Sequence, residues 1–240
     1  MQVKEFKTIK EKTTGQIVEK KSKFIANVFY IETEEEAEDI IKQMKKKYYD
    51  ARHNCYAYIV FDEEQRLIEK CSDDGEPSGT AGFPMLAILK GNNLCNVLVI
   101  VTRYFGGILL GTGGLVRAYT RATESALEEA NFLTMKIGVE AKVILSYDSV
   151  ENFRYYARKN NINIIKEEYS DNVEFLIEIS KEILERILKD IDSSSIKLTK
   201  IDILRGKTIK TNTTVWAVTR KIWKNFQKSI AFNFKNLGGN

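Results

Sequence analysis

The sequence predicts an α+β protein of two folded domains followed by a basic tail. The chain has 240 residues, more than a typical single domain, and its 43% hydrophobic content is ordinary for a globular protein. From residue 137 the expected elements follow the order strand-helix-strand-strand-helix-strand, which is the ferredoxin-like split motif. We therefore assign residues 1–136 to the first domain, 137–204 to a ferredoxin-like second domain and 205–240 to the tail.

The first domain is expected to mix strands and helices. Runs rich in β-branched and aromatic residues predict strands at 23–31, 54–61, 66–70 and 96–103. Apolar residues at helical spacing predict helices at 34–47, 80–89 and 114–130. Thr33 is the expected N-cap of the first helix, and the acidic residues Glu34–Glu36 suit the positive end of its dipole. Because proline is tolerated in a first turn, Pro84 predicts that the second helix begins near Phe83.

The second domain shows the same two kinds of signal. Strands are expected at 137–146, 163–169, 173–179 and 195–204, and helices at 149–159 and 181–191. We place the domain boundary near Lys136. No long flexible linker marks this boundary, so the two domains are expected to pack closely.

Residues 205–240 fit neither domain. They contain eight Lys or Arg residues and no Asp or Glu, whereas the other 204 residues carry 29 basic and 33 acidic side chains. Both tryptophans lie in this tail, and residues 215–226 have a short amphipathic pattern. Three interpretations stay open: an appendage without fixed structure, a sequence altered by a reading-frame change, and a tail that binds nucleic acid or a membrane surface.

Several classes of protein are disfavoured by the composition. No apolar run approaches the roughly 18 residues of a membrane-spanning helix, and the first residues lack the apolar core of a signal peptide. Cys55, Cys71 and Cys95 are an odd number without C-x-x-C spacing, and His53 is the only histidine. These features predict a cytoplasmic protein with reduced thiols, without a zinc or multi-histidine site, a cofactor or a membrane partner.

Glycine is concentrated in the segment that ends where the helix 114–130 begins. Nine of the 14 glycines lie within residues 75–114. Unpaired N–H groups at a helix start bind anions, and nearby arginines add charge-assisted hydrogen bonds. The predicted anion-binding residues are Arg103, Gly106, Gly107, Gly111, Gly113, Gly114 and Arg117. Thr112 stands where a P-loop has lysine, and Val116 stands where a dinucleotide motif has its third glycine. The alternative is that the glycines only shape a tight crossover.

An acidic segment and the single histidine are the candidate catalytic residues. Asp73, Asp74 and Glu76 either hold a hard cation or act as general acid and base, or they form a solvated turn. His53 lies two residues before Cys55 on the same face of a strand, which is compatible with a nucleophile pair. No oxyanion donor or third catalytic group can be assigned to that pair.

Four blocks of sequence resemble the YigZ/IMPACT family in both order and spacing. They are Lys21–Ile25 (KSKFI), Ala51–Cys55 (ARHNC), Ser72–Gly82 (SDDGEPSGTAG) and Val101–Tyr119, which contains VTRYFGG and GLVRAY. The resemblance covers roughly residues 18–126. Residues 137–204 look like the ferredoxin-like domain of bacterial members, and the resemblance does not reach residues 205–240.

The resemblance implies a ribosomal-protein-S5-domain-2-like α/β sandwich for the first domain. The second domain is similar to a domain of a translation elongation factor. Eukaryotic relatives regulate translation under amino-acid stress by competing for a kinase activator, so a translation-linked role is implied here. The family's signature falls on His53, Asp73, Asp74, Glu76, Arg103 and the loop glycines, without known catalytic roles.

Three functions follow as hypotheses. The first is a regulatory protein that binds RNA or the ribosome through phosphate contacts at the glycine-rich loop. The second is a small-molecule, hydrolase-like enzyme that uses His53 and the carboxylates of the acidic segment. The third is a protein-interaction module in which the signature residues are structural. We favour binding over catalysis.

Overall fold

The computed structural model describes residues 5–62, 64–189 and 198–210. Within these residues the chain forms ten strands in two antiparallel sheets and five α-helices. The strands are β1 (Glu5–Ile9), β2 (Thr13–Glu19), β3 (Ser22–Tyr30), β4 (His53–Phe61), β5 (Leu67–Ser72), β6 (Val97–Tyr104), β7 (Phe132–Leu145), β8 (Asn163–Tyr169), β9 (Val173–Ser180) and β10 (Lys200–Lys210). The helices are α1 (Glu34–Lys47), α2 (Gly82–Gly91), α3 (Thr112–Glu128), α4 (Val150–Lys159) and α5 (Lys181–Lys189). None of the helices described is long and apolar enough to cross a bilayer.

The first sheet forms the middle layer of an α/β sandwich. Its strand order is β2-β3-β6-β4-β5. Val97, Val99 and Val101 of β6 belong to the core beneath α2 and α3, whereas Leu98 and Ile100 belong to the core beneath α1. Because β6 is covered on both faces, its sequence is an apolar run instead of an alternating pattern. The predicted buried strand and the sandwich are confirmed.

The start of α1 follows the predicted capping chemistry. The Glu36 backbone N–H donates to Thr33 Oγ1 at 3.1 Å, and the Glu32 N–H donates to the Glu36 carboxylate at 2.8 Å. The first bond is an N-cap contact, which satisfies one of the N–H groups that a helix start would otherwise leave unpaired. The second bond ties the residue before the cap to the first turn of α1. The predicted N-cap at Thr33 is therefore confirmed.

The second sheet confirms the βαββαβ order predicted for the second domain. Its strands lie in the order β10-β7-β9-β8, and α4 and α5 pack on one face. This is the ferredoxin-like arrangement, in which the third strand of the motif lies between the first two. On the opposite face of the sheet, charged side chains of neighbouring strands form ion pairs, among them Lys142–Glu174 and Arg205–Glu140.

β1 and β2 were not predicted, and β1 changes how the two domains join. Lys136 of β7 pairs with Glu5 of β1 on one side and with Ile209 of β10 on the other. Further along β7, the side that β1 occupies pairs with β9 instead. β7 therefore runs through the predicted boundary at Lys136. The two hydrophobic cores nevertheless divide close to it, since Met135 packs in the first core and Val139 in the second.

The predicted start of the tail at residue 205 is wrong. β10 runs to Lys210, and residues 205–210 pair with β7. Arg205 contacts the Glu140 carboxylate at 2.9 Å, and Lys207 forms an ion pair with Glu178. Two of the eight basic residues that suggested a separate tail, Arg205 and Lys207, therefore pair with acids of the neighbouring strands. Residues 211–240, with the helix predicted at 215–226, lie outside the described residues.

A chain that ends at Leu204 is expected to melt below one that ends at Lys210. The shorter chain loses the pairing of residues 205–210 with β7 and the ion pairs of Arg205 and Lys207. A loss of about 2 kcal/mol corresponds to a shift of roughly 4–8 °C for a protein of this size. Thermal unfolding followed by circular dichroism measures the difference. Equal melting temperatures would mean that residues 205–210 do not stabilise the second sheet.

Candidate functional site

One end of the first sheet gathers all the predicted site residues. Strand register places the start of β3 beside the end of β6 (Lys23 opposite Tyr104) and the start of β4 beside the same end (His53 opposite Arg103). The segments that leave the sheet here are the β2–β3 turn, the acidic segment after β5 and the glycine-rich loop after β6. Residues far apart in sequence therefore meet at one end of the sheet.

A buried polar cluster lies in the middle of this end of the sheet. Glu76 Oε1 accepts a hydrogen bond from Arg103 Nη1 at 2.6 Å and another from the Tyr119 hydroxyl at 2.9 Å. His53 Nε2 lies 4.0 Å from the same oxygen. The side chains of Glu76 and Arg103 are only 3% and 7% exposed. The structure thus brings together His53, Glu76 and Arg103, and it adds Tyr119, which was not among the candidate site residues.

Arg103 serves this buried cluster and is not a surface anion ligand. Its guanidinium carbon lies 5.4 Å from the ring centroid of Phe24 and 5.6 Å from that of Phe105. Among the described residues, its Nε has no hydrogen-bond partner. The predicted role of Arg103 in binding an external phosphate is therefore not supported, because its charge is already paired inside the domain.

The acidic segment is structural in large part. Asp73 accepts hydrogen bonds from the backbone N–H groups of Gly79, Ala81 and Gly82 at 2.8–2.9 Å, so its carboxylate caps the start of α2. Asp74 accepts from the Asn54 N–H at 2.7 Å and contacts Lys45 Nζ at 2.6 Å. Within the described part of the chain, no cluster of acids, histidines and cysteines suits a metal ion.

His53 and Cys55 hold the acidic segment against β4. His53 Nδ1 lies 2.9 Å from the Asp74 carbonyl oxygen, and it must donate because a carbonyl only accepts. Cys55 Sγ donates to the Asp73 carbonyl at 3.0 Å. Burial raises the pKa of the Cys55 thiol to about 12, so the thiolate needed for nucleophilic attack is not formed at neutral pH. The nucleophile pair is therefore not supported.

The glycine-rich loop packs directly on the β2–β3 turn. A Cβ placed on Gly106 would lie 2.0 Å from the Lys21 carbonyl carbon, and the Gly106 N–H donates to Ser22 Oγ at 3.1 Å. Gly111 has φ +72°, a conformation that side chains disfavour, and it is the N-cap of α3. α3 begins at Thr112, two residues before the predicted start, so Gly113 and Gly114 lie in its first turn.

The start of α3 is open and lies among basic side chains. Among the described residues, no side chain caps this start. Its first turn contains no acid, and Gly111, Thr112 and Gly113 are exposed. Arg117 Nη1 lies 3.6 Å from the position of a Cβ on Gly113. The Glu19–Arg121 contact at 3.1 Å shows that β2 runs along α3 toward this end.

We call the exposed side chains of Lys20, Lys21, Lys23 and Arg117 the basic rim. Among the ion pairs formed by the described residues, none involves these four side chains. A carboxylate therefore neutralises none of their charges. Only the fold places the Lys20–Lys23 segment beside the glycine-rich loop, through the contact of Gly106 with Lys21 and Ser22.

Comparison with protein-family models divides the chain in the same way. The model of the Impact N-terminal domain matches residues 20–127. The model of a domain of unknown function, DUF1949, matches residues 143–195. The first match contains the buried cluster, the glycine-rich loop and the basic rim, and the second covers most of the ferredoxin-like domain.

Similar proteins agree with these matches. The chain is 39% identical to the IMPACT family member YvyE of Bacillus subtilis over 168 residues, which are 70% of this chain and 76% of that protein. It is 45% identical to the IMPACT family member YigZ of Escherichia coli over 112 residues, or 46% of this chain and 54% of that protein. A crystal structure described as a hypothetical protein superposes with a TM-score of 0.56 at 29% identity, covering 85% of this chain and 98% of that one. The chain belongs to the IMPACT family.

Proposed function

We propose that this protein takes part in the regulation of translation and binds RNA through the start of α3 and the basic rim. The link to translation is what membership in the IMPACT family implies. The RNA ligand is inferred from the site, because phosphate groups supply the negative charge that these residues lack. Phosphate contacts of this kind position a nucleic acid without reading its sequence.

The observation that carries the proposal is the unpaired positive charge beside open helix amides. Within the part of the chain that the structure describes, the exposed residues Lys20, Lys21 and Arg117 have no carboxylate partner, and no side chain caps the N–H groups at Thr112 and Gly113. The helix dipole adds partial positive charge at the same place. Three exposed cations and a free helix start at one end of the sheet favour a ligand that carries several phosphates over a single small anion.

The second sheet offers a useful contrast. The face turned away from α4 and α5 carries as many acids as bases, and they pair with one another. These pairs are Lys142–Glu174, Lys166–Glu168, Lys200–Asp202, Arg205–Glu140 and Lys207–Glu178. Because this charge is balanced internally, the sheet face is a poor phosphate site, and we assign RNA binding to the first domain.

The triple variant Lys20→Gln/Lys21→Gln/Arg117→Gln is expected to weaken RNA binding and its salt dependence together. Each phosphate contact to a single strand contributes about 0.7 to the slope of log affinity against log salt. Loss of three contacts should therefore reduce the slope by about 2. Fluorescence anisotropy with a labelled RNA 12-mer at several salt concentrations measures both quantities.

A matched control removes three charges from the second sheet instead. Lys142→Gln/Lys166→Gln/Lys200→Gln changes the net charge equally but acts on side chains that already have carboxylate partners. It should leave the slope almost unchanged. Equal losses in the two variants would show that only overall charge matters. Undetectable or salt-independent RNA binding by the full chain would overturn the proposed function.

A further inference from the structure

The loop that joins β6 to α3 exposes apolar side chains beside the basic rim. Phe105 is 47% exposed, Ile108 42% and Leu109 82%. Phosphate binding alone does not require these groups, and exposed apolar surface next to a charged site indicates a ligand with an apolar part. The chemistry of that ligand has to satisfy both features at once.

The Phe105 ring is held in place from within the domain. The Arg103 guanidinium lies over it at 5.6 Å, and Arg103 is itself fixed by its 2.6 Å contact with Glu76 and by the Phe24 ring. The next residue, Gly106, is anchored on Ser22. An aromatic ring that is already positioned loses little conformational freedom when a ligand stacks on it. Arg103, which does not reach the external phosphate, thus supports the ring.

We infer that the ligand of this site is a single-stranded stretch of RNA and that one of its bases stacks on Phe105. This inference rests on the function proposed above and names the form of RNA that the site accepts. The bases of a duplex are stacked on one another and inaccessible to a side chain, whereas an unpaired base offers its flat face. Phosphates at the start of α3 and on the basic rim, with a base on Phe105, use both features of the surface.

Charge decides between RNA and a protein partner on this surface. A peptide that covered Phe105, Ile108 and Leu109 would leave the basic rim unpaired unless it were also acidic. A nucleic acid presents bases and phosphates side by side along one chain, so it satisfies the apolar and the basic groups together. The observations therefore favour RNA, and a protein partner becomes an outcome of the test.

The test compares Phe105→Leu with Phe132→Leu in the full chain. Phe132 is similarly exposed, at 40%, but it follows the opposite end of α3, which is about 25 Å long. The probes are a labelled 12-nucleotide oligo(A) and a 12-base-pair RNA duplex. Phe105→Leu should weaken oligo(A) binding about tenfold without changing the salt slope, since stacking does not depend on counterions. Phe132→Leu should bind like the unmodified chain.

A second variant gives a direct readout of stacking. In Phe105→Trp, oligo(A) should quench fluorescence beyond the change seen in the unmodified chain, because a base would lie against the new indole. Equal binding of oligo(A) by the Phe105→Leu variant and the unmodified chain would overturn the inference. The exposed apolar residues of the loop would then be assigned to binding a protein partner. Equal affinity for duplex and oligo(A), or no extra quenching, would also overturn it, while the proposed function would stand. Absence of binding to either RNA would instead remove the proposed function itself.

Discussion

Replacing Glu76 with alanine should lower the free energy of unfolding by about 3–5 kcal/mol, a large part of the roughly 5–15 kcal/mol typical of a folded protein. The substitution leaves Arg103 charged and without its carboxylate partner, although its side chain is only 7% exposed. The Tyr119 hydroxyl loses its acceptor at the same time. Chemical denaturation followed by circular dichroism measures the change.

Two controls separate the buried pair from ion pairing in general. Asp39→Asn removes one partner of an exposed pair with Lys42, whose side chains are 67% and 72% exposed, and should cost no more than about 0.5 kcal/mol. The double variant Glu76→Leu/Arg103→Met should recover most of the lost stability, because apolar residues can replace a buried ion pair at little cost. A loss below about 1 kcal/mol in Glu76→Ala would mean that water reaches the Arg103 charge.

Alanine at Gly106 and alanine at Gly113 should change stability in opposite directions. A Cβ at Gly106 would lie 2.0 Å from the Lys21 carbonyl carbon and 2.4 Å from the Ser22 nitrogen, both of which are backbone atoms that cannot rotate away. Forcing such overlap typically costs about 1–3 kcal/mol. A Cβ at Gly113 meets only Arg117 Nη1, at 3.6 Å, so alanine there fits and should stabilise by about 0.4–1 kcal/mol.

Differential scanning calorimetry of the two single variants provides the comparison. Both changes add one methyl group to neighbouring parts of the same segment, so each serves as the control for the other. If Gly106→Ala melted at or above the temperature of the unmodified chain, the loop would not be packed on the β2–β3 turn as described. The lysines of the basic rim would then not lie beside the start of α3.

Most of the fold could be predicted because its signals are local. Residues only a few positions apart indicate the apolar strand β6 and the Thr33 cap of α1. The same holds for each strand and helix of the second domain, and their order then gives the βαββαβ motif. β1 and β2 escaped prediction because they are short and partly polar, as in the sequence of β2, Thr-Thr-Gly-Gln-Ile-Val-Glu. Their strand conformation comes from pairing with β7 and β3, which lie elsewhere in the chain.

The candidate site could be predicted only in outline. Glycine spacing indicated an open helix start, and none of the residues that the structure describes caps that start with its side chain. The partners of the charged residues were not predictable, because Glu76 meets Arg103 and Tyr119 across separations of 27 and 43 residues. No local pattern distinguishes an arginine that faces solvent from one that is buried against Glu76.

The sequence by itself determined the two-domain architecture, the order of the elements in the second domain and the segment proposed as the candidate site. Periodicity, capping and glycine content act over a few residues and can be seen along the chain. Only the tertiary structure decided which charges are paired inside the protein and which stay open on its surface. Strand register sets those contacts by bringing Lys23, His53 and Arg103 to one end of a sheet, and register depends on the packing of the whole domain.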